Sequence, residues 1–336
     1  MAPHNPLAEL IAEKGVLLAD GATGTNLFAS GLEAGEAPEL WNEAQPEKIT
    51  ALHQGFVDAG ADIILTNSFG GTRHRLKLHH AQDRVFELNK KAAELARAVA
   101  DRAGRKVIVA GSVGPTGELL VPLGALTEED AVAAFAEQLE GLKAGGVDVA
   151  WIETMSAPGE IRAAAEAAIR VGLPYVYTGS FDTAGKTMMG LPPKDIHGVV
   201  EGLDAKPIAV GANCGVGASD ILASLLDMSD ADPSATIVIK GNCGIPEFRG
   251  SEIFYSGTPD LMADYARLAV DGGARIVGGC CGTSFAHLAA MRKALDSHVN
   301  GPRPTVEAIV ETIGPLRNKL AGHAEGAPRR ERRGHR

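Results

Sequence analysis

Four cysteines, Cys214, Cys243, Cys280 and Cys281, are the residues whose type and spacing most directly suggest chemistry. Two are adjacent, in Gly278-Gly279-Cys280-Cys281-Gly282, and a third closes the apolar run ending Ala212-Asn213-Cys214. Neighbouring residues on a strand point to opposite faces, so adjacent thiols reach one point only where the chain bends, and flanking glycines permit that bend. Together with Cys214 they make three sulfurs able to converge. Zinc takes sulfur at about 2.3 Å in tetrahedral geometry, and three protein ligands leave a fourth position open, which means catalysis rather than scaffolding. A zinc ion with three thiolates is net negative and only a mild Lewis acid, better suited to holding another thiol as thiolate than to activating water. A free thiol of pKa about 8.5 is little ionised at neutral pH, and coordination deprotonates it outright. Such a sulfur can attack an electrophilic carbon, for instance an activated methyl group. The competing reading is three unrelated small residues of the core.

These residues need elements to bring them together. Short, largely apolar runs predict strands over 16–19, 62–66, 107–111, 149–153, 175–180, 209–213, 236–240 and 274–278, as for parallel strands buried on both faces. Between them lie helical patterns. Ile49, Leu52, His53, Phe56 and Val57 follow the i, i+3, i+4, i+7, i+8 rule. Val85, Leu88, Leu95 and Val99 outline a similar stripe, and segments 129–144, 160–171, 220–226, 259–270 and 284–295 supply most of the rest. A helix is also expected over 192–203 despite two leading prolines, because proline is tolerated at a helix start. Eight strand–helix pairs predict an α/β fold, a single closed (β/α)8 TIM barrel over residues 1–300. Residues 301–336 are expected to add a C-terminal extension, helical over 306–320 and then a basic, disordered tail. An open doubly wound sheet is the alternative, but Asp20-Gly21-Ala22-Thr23-Gly24-Thr25 lacks the spacing of a dinucleotide-binding turn.

Active-site groups of a barrel cluster at the carboxyl ends of its strands. Those ends read Asp20-Gly21, Thr66-Asn67-Ser68-Phe69, Gly111-Ser112, Glu153-Thr154, Ser180-Phe181-Asp182, Asn213-Cys214, Asn242-Cys243 and Gly279-Cys280-Cys281. All four cysteines fall at one end, whereas a purely structural role would scatter them among strands and helices.

The 336 residues carry 32 Lys+Arg against 42 Asp+Glu, a net charge of −10 that argues against a nucleic-acid partner, whose binding rests on neutralising phosphates. The one basic block, Arg329-Arg330-Glu331-Arg332-Arg333-Gly334-His335-Arg336, reads as a solvated tail rather than an RNA-binding arm. No run approaches the ~18 apolar residues of a membrane span, and the N-terminus has no signal-like pattern, so no membrane partner and a cytoplasmic location are expected. So few cysteines in a chain of this length read as ligands or thiols, not as a disulfide framework.

In these motifs, together with Gly60-Ala61-Asp62-Ile63-Ile64-Leu65-Thr66-Asn67-Ser68-Phe69 and Gly111-Ser112-Val113-Gly114-Pro115-Thr116-Gly117, the sequence resembles the homocysteine S-methyltransferase family. That family includes the homocysteine domain of cobalamin-dependent methionine synthase, betaine–homocysteine methyltransferase and S-methylmethionine-dependent enzymes. The matching pieces run in family order from about residue 15 to 295. The resemblance implies zinc bound by Cys214, Cys280 and Cys281, with the homocysteine sulfur as fourth ligand. It implies that Asp20 and Gly21 meet the amino-acid head group through side chain and backbone, that Glu153 pairs with its ammonium, and that Thr66 and Ser68 supply hydroxyl contacts. Asn213 joins this set as a brace for the loop carrying Cys214. Cys243 stands where relatives carry a small residue, and is expected to line the pocket without joining the metal, since a fourth thiolate would close the site.

The methyl donor is less directly readable. A single barrel lacks the folate and cobalamin domains of full methionine synthase, so a direct, methylated onium donor is expected. Onium cations favour aromatic cages, and Trp41 and Phe28, Phe69, Phe181, and Phe248, Phe254 and Tyr255 fall in loops on the catalytic side. Tyrosines of the animal betaine enzyme are replaced here by Gly70 and Thr154. The segments Met188-Met189-Gly190 and Tyr255-Ser256-Gly257-Thr258-Pro259 look most like bacterial betaine–homocysteine methyltransferases. The expected reaction is therefore methyl transfer from glycine betaine to homocysteine, giving methionine and dimethylglycine. The alternatives are S-methylmethionine or another sulfonium donor, a homocysteine module serving a separate corrinoid protein, or thiols that store zinc or sense redox state. The extension after residue 300 is a candidate element for a homo-oligomer.

Overall fold

The computed structural model describes residues 5–318 apart from 245, 250 and 251, with the backbone alone for 246–249 and 252–254. The strands are β1 (Leu17–Leu18), β2 (Ile63–Leu65), β3 (Ile108–Val113), β4 (Val149–Met155), β5 (Tyr175–Gly179), β6 (Ala209–Cys214) and β7 (Ile237–Gly241). An antiparallel hairpin of β8 (Pro246–Arg249) and β9 (Glu252–Tyr255) precedes β10 (Ala274–Gly279). Eight of them form one parallel sheet in the order β1-β10-β7-β6-β5-β4-β3-β2. The bridge Ala19–Ile63, with Asp20 N donating to Ile63 O (3.0 Å) and Asp62 N to Leu18 O (2.7 Å), joins the two edges. The fold is a single (β/α)8 TIM barrel.

Strand periodicity sorts the interior. Leu17, Ile63, Ile108, Val149, Trp151, Val238 and Ile276 point inward and form one buried cluster. Further along the strands, the same alternation places Ser112, Glu153, Thr178, Asn213 and Lys240 inward. The barrel is thus dry toward its amino end and polar at its carboxyl rim. Leu7, Leu10 and Ile11 of α1 (Pro6–Lys14), the helix leading into β1, join the dry cluster and plug that end.

Around the sheet run α2 (Gly24–Ala29), α3 (Trp41–Ala44), α4 (Pro46–Asp58), α5 (Arg73–Leu76), α6 (Val85–Asp101), α7 (Glu128–Ala144), α8 (Pro158–Val171), α9 (Ala218–Ala231), α10 (Pro259–Asp271), α11 (Phe285–Asp296) and α12 (Val306–Ile313). Ile49, Leu52, His53, Phe56 and Val57 are all buried on α4, as their spacing requires. The helix expected over 192–203 is instead a 3-10 segment, Pro193–Gly198, followed by turns. Gly202, at φ +82°, takes a left-handed conformation that a helix cannot continue through. The helix of the extension also ends early, at Gly314 (φ +102°), which Pro315 follows. Positions 319 and 320 of that expected helix, and the basic tail, lie outside the described residues. Among the described residues, no helix is long and apolar enough to cross a membrane.

Candidate metal centre and substrate cavity

β6 and β10 are not neighbours. β7 lies between them, with Gly241 in register with both Cys214 and Gly279. Strands two apart are separated by about 10 Å, so sulfurs from β6 and β10 meet only if both chains turn over β7. Cys214 does so by adopting φ +63°, a left-handed conformation unusual for a residue with a side chain. After Gly279 the chain bends through Cys280 and Cys281 to Gly282 at φ +80°. A Cβ on Gly279 would lie 2.3 Å from Thr283 Cγ2, and one on Gly282 would lie 2.4 Å from the Tyr255 ring, so both positions exclude any side chain.

The result is a trio. The Sγ atoms of Cys214, Cys280 and Cys281 all lie within 4.8 Å of one another, with Cys214 and Cys281 at 4.0 Å. Tetrahedral zinc with bonds of about 2.3 Å has sulfur–sulfur edges of about 3.8 Å, so the donor set fits the ion in chemistry and spacing. The sulfurs also act as one electrostatic unit. Hydrogen bonds from Cys214 and Cys280 pull Cys281 down to about 3, while hydrogen bonds to Cys280 and Cys281 hold the Cys214 thiol far above its ordinary range.

Two asparagines fasten the ligand loops to each other. Asn213 accepts from Thr154 N (2.7 Å) and Thr178 Oγ1 (2.6 Å), donates to Thr154 Oγ1 (2.7 Å), and its amide lies 3.8 Å from Cys280 Sγ. Asn242 accepts from Cys281 N (3.1 Å) and donates to Gly215 O (2.8 Å), tying the β10 turn to the β6 turn. Such outer partners fix the orientation of metal ligands. Cys243 is fully buried, burial pushes its thiol up to about 12, and its sulfur is not one of the trio.

The trio forms part of the wall of a cavity of about 480 Å³ at the carboxyl rim. Gly21, Thr66, Ser68 and Glu153 line it, and so do Ser112 and Lys240. Gly21 is obligatory, since a Cβ there would lie 2.7 Å from Thr283 O. Glu153 is buried beside Lys240 and accepts from Ser112 Oγ. Burial pushes its carboxyl up to about 7, against the pull of Lys240 and of Ser112. The Thr66 hydroxyl accepts from Ser112 N (3.0 Å) and pairs with Ser68 Oγ (2.6 Å), which donates to Ser112 O (2.8 Å). These two hydroxyls are therefore already committed within the wall.

Three residues of the expected site do not line that wall. Asp20 is 2 % exposed and fully used, accepting from Leu65 N (2.7 Å) and Lys240 Nζ (2.7 Å). Asn213 is the brace described above. Trp41 is buried in the main hydrophobic cluster, with Lys48 Nζ 4.5 Å over its ring, and its neighbour Asn42 donates to Asn67 O (2.9 Å). Among the aromatic residues, Phe28, Phe69 and Tyr255 reach the cavity, while Phe181 packs behind Cys214. The side chains of Phe248 and Phe254 lie outside the described residues. Arg75 and His79 also line the outer half, with Glu36 and Glu39.

Lys240, Asn242 and Arg75 were not singled out in the sequence. A lysine ending an otherwise apolar strand and a second Asn-Cys pair, Asn242-Cys243, were the available signals for the first two. Arg75 sits in a short helix whose position no periodicity reveals. At the opposite end of the barrel a cleft of about 520 Å³ gathers Lys14, Arg105 and Arg292, but these surround Asp62, which accepts from Lys14 Nζ (2.6 Å) and Arg292 (3.1 Å). Their charges are spent on holding β2 and α11 together.

Comparison with known proteins agrees with this geometry. The family model of homocysteine S-methyltransferase matches residues 17–295. Methionine synthase of Mycobacterium tuberculosis is 30% identical over 305 residues, covering 86% of this chain and 25% of that protein. Methionine synthase of Mycobacterium leprae is 29% identical over 322 residues, covering 90% of this chain and 26% of that protein. The chain thus spans about a quarter of the length of these relatives. Among solved structures, the metallated form of the homocysteine methyltransferase MmuM from Escherichia coli superposes with a TM-score of 0.71 at 27% identity, covering 86% of this chain and 99% of that one. The barrel, the three sulfurs and the match over residues 17–295 lead to one conclusion: the chain belongs to the homocysteine S-methyltransferase family.

Proposed function

We propose that this protein transfers a methyl group from glycine betaine to homocysteine, giving methionine and dimethylglycine, with zinc held by Cys214, Cys280 and Cys281. The observation that carries the reading is the convergence of three sulfurs beside a buried carboxylate and ammonium in one cavity. Bound there, zinc would supply an open position that keeps a thiol ionised at neutral pH. Glu153 receives the substrate ammonium, and Ser112 fixes the direction of that carboxylate. Gly21 lets the head group approach the backbone where any side chain would intrude. In the transfer, the sulfur lone pair forms the new S–CH3 bond as the N–CH3 bond breaks, and that electron pair leaves on nitrogen. The chain's task is to hold the two reactants in line and near contact.

Support for an onium donor comes from the outer half of the cavity. Phe28, Phe69 and Tyr255 offer ring faces to a methylated cation. Arg75 lines the same cavity as Glu39, whose carboxyl its charge pulls down against burial, and its guanidinium would meet a donor carboxylate there. A second reading, a homocysteine barrel served by a separate methyl-carrying corrinoid protein, draws on the methionine synthases, which extend far beyond the matched quarter. Methionine release from zinc-loaded protein and homocysteine, assayed with glycine betaine, S-methylmethionine and methylcobalamin, tests both. Turnover with betaine is expected; turnover with S-methylmethionine alone overturns the donor, and turnover with methylcobalamin alone selects the second reading.

A further inference from the structure

Lys240 is the most unusual residue of the cavity. By the alternation of β7, in which Val238 points into the barrel, Lys240 points inward one layer higher. Its strand runs between the two that carry the sulfurs, and it is in register with Asn213 on one side and Gly278 on the other. Gly278 makes room for it, since a Cβ there would lie 3.0 Å from Lys240 Cγ. The side chain is 3 % exposed and lines the cavity. An ammonium has three N–H donors and no acceptor, and here one hydrogen bond is made, to Asp20 Oδ1 at 2.7 Å. The nearest aromatic face, Trp151, is 5.9 Å away and is a weak substitute. Two donors of a buried cation are thus left for whatever fills the cavity.

We propose that Lys240 is the specificity-determining residue for the α-carboxylate of the amino-acid substrate, and that Asp20 is the positioning residue that aims it. The inference rests on the homocysteine reading above and adds to it the residue that distinguishes an amino acid from a simple aminothiol. At the base of the cavity Asp20 is ion-paired with Lys240, whereas Glu153 accepts from Ser112 Oγ and not from the lysine. A zwitterion completes the set, with its ammonium to Glu153 and its carboxylate to the free donors of Lys240. Asp20, with no acceptor position on the cavity wall, keeps the lysine from swinging onto Glu153 and neutralising the ammonium site.

The test is calorimetric binding to zinc-loaded protein of homocysteine, of 3-aminopropane-1-thiol, which lacks only the carboxylate, and of 4-sulfanylbutanoate, which lacks only the amine. The intact protein should prefer homocysteine to the aminothiol by roughly 10- to 100-fold, as charge-assisted hydrogen bonds allow. Lys240→Met should reduce that preference to within about 3-fold, by weakening homocysteine and 4-sulfanylbutanoate while leaving the aminothiol and the zinc content unchanged. Because Lys240→Met alone strands Asp20 as an unpaired buried charge, the companion variant Asp20→Asn/Lys240→Met, which removes both charges, should show the same loss. An undiminished preference in either folded variant overturns the role of Lys240. Failure of the intact, zinc-loaded protein to bind homocysteine, with the aminothiol still bound, overturns the homocysteine reading and this inference with it.

Discussion

Cys214 holds its backbone at φ +63°, which costs a residue with a side chain roughly 1–2 kcal/mol. That turn is what carries Sγ over β7 toward Cys281. Cys214→Ala is therefore expected to drop the bound zinc from one equivalent to near zero and to abolish methyl transfer, both measurable on the same preparation. Cys243→Ala should leave metal content and turnover intact while lowering stability by about 1 kcal/mol, the cost of a small cavity in a packed interior. Retained zinc in the first variant, or lost zinc in the second, would contradict the assignment of ligands. Glu153 gives a pH signature. Its carboxyl is raised to about 7 by burial, so the folded chain favours the neutral form. Its contribution to stability is fully present below pH ~4.5 and is lost as the pH rises through about 7, a change on the order of 3 kcal/mol. Homocysteine binding runs the other way, because the ammonium needs the ionised carboxylate, and should strengthen as the pH rises through about 7. Glu153→Gln should flatten both profiles, in denaturant midpoint and in calorimetric affinity.

At the scale of elements, the strands that carry the site were largely legible, because a parallel strand buried on both faces is written as an uninterrupted apolar run. Two of the differences have a local cause. Segment 192–203 is a 3-10 turn over Pro193–Gly198, and Gly202 at φ +82° stops a helix from running to the segment's end. The β8–β9 hairpin lies between a strand and a helix that were both found, where strand-by-strand counting leaves no room for it. The sulfur trio was legible because cysteines are few and fall at strand ends. Trp41 was misplaced because sequence gives the loop that a residue occupies but not the face on which it lands. The asparagine braces were legible only as companions of cysteine. Asn213 ties the left-handed Thr154 (φ +61°), and so the residue after Glu153, to the β6 turn. Asn213→Ala is thus expected to weaken zinc retention by 10- to 100-fold, the usual cost of losing an outer partner of a metal ligand. A competition titration with a chelator measures it, and an unchanged affinity would reduce Asn213 to a loop residue.

The whole molecule places this chemistry at one end of a barrel whose other end is closed by α1, and whose flank is held by the segment after residue 300. Its described part, residues 301–318, is no loose appendage. α12 packs on α9 and α10, its Ile309 and Ile313 belong to the main core, and the chain beyond it is caught by the start of α9. Ser219 Oγ donates to Gly314 O (2.7 Å), and the Asp220 carboxylate accepts from Arg317 N (3.1 Å) and Asn318 N (2.8 Å). α9 follows directly on the turn that carries Cys214, so whatever steadies its first turn also steadies one sulfur of the trio. Ile309→Ala should consequently cost about 2–4 kcal/mol in global stability, as a fully buried aliphatic side chain does. Asp220→Ala, which removes from the first turn of α9 the carboxylate that holds the backbone N–H groups of Arg317 and Asn318, should act more locally, loosening zinc before it lowers the unfolding midpoint. Hydrogen exchange of the amides of residues 214–222, with and without zinc, separates the two. Faster exchange confined to that turn in Asp220→Ala is the expected result, and uniform exchange across the barrel would mean that the extension stabilises the fold without reaching the site.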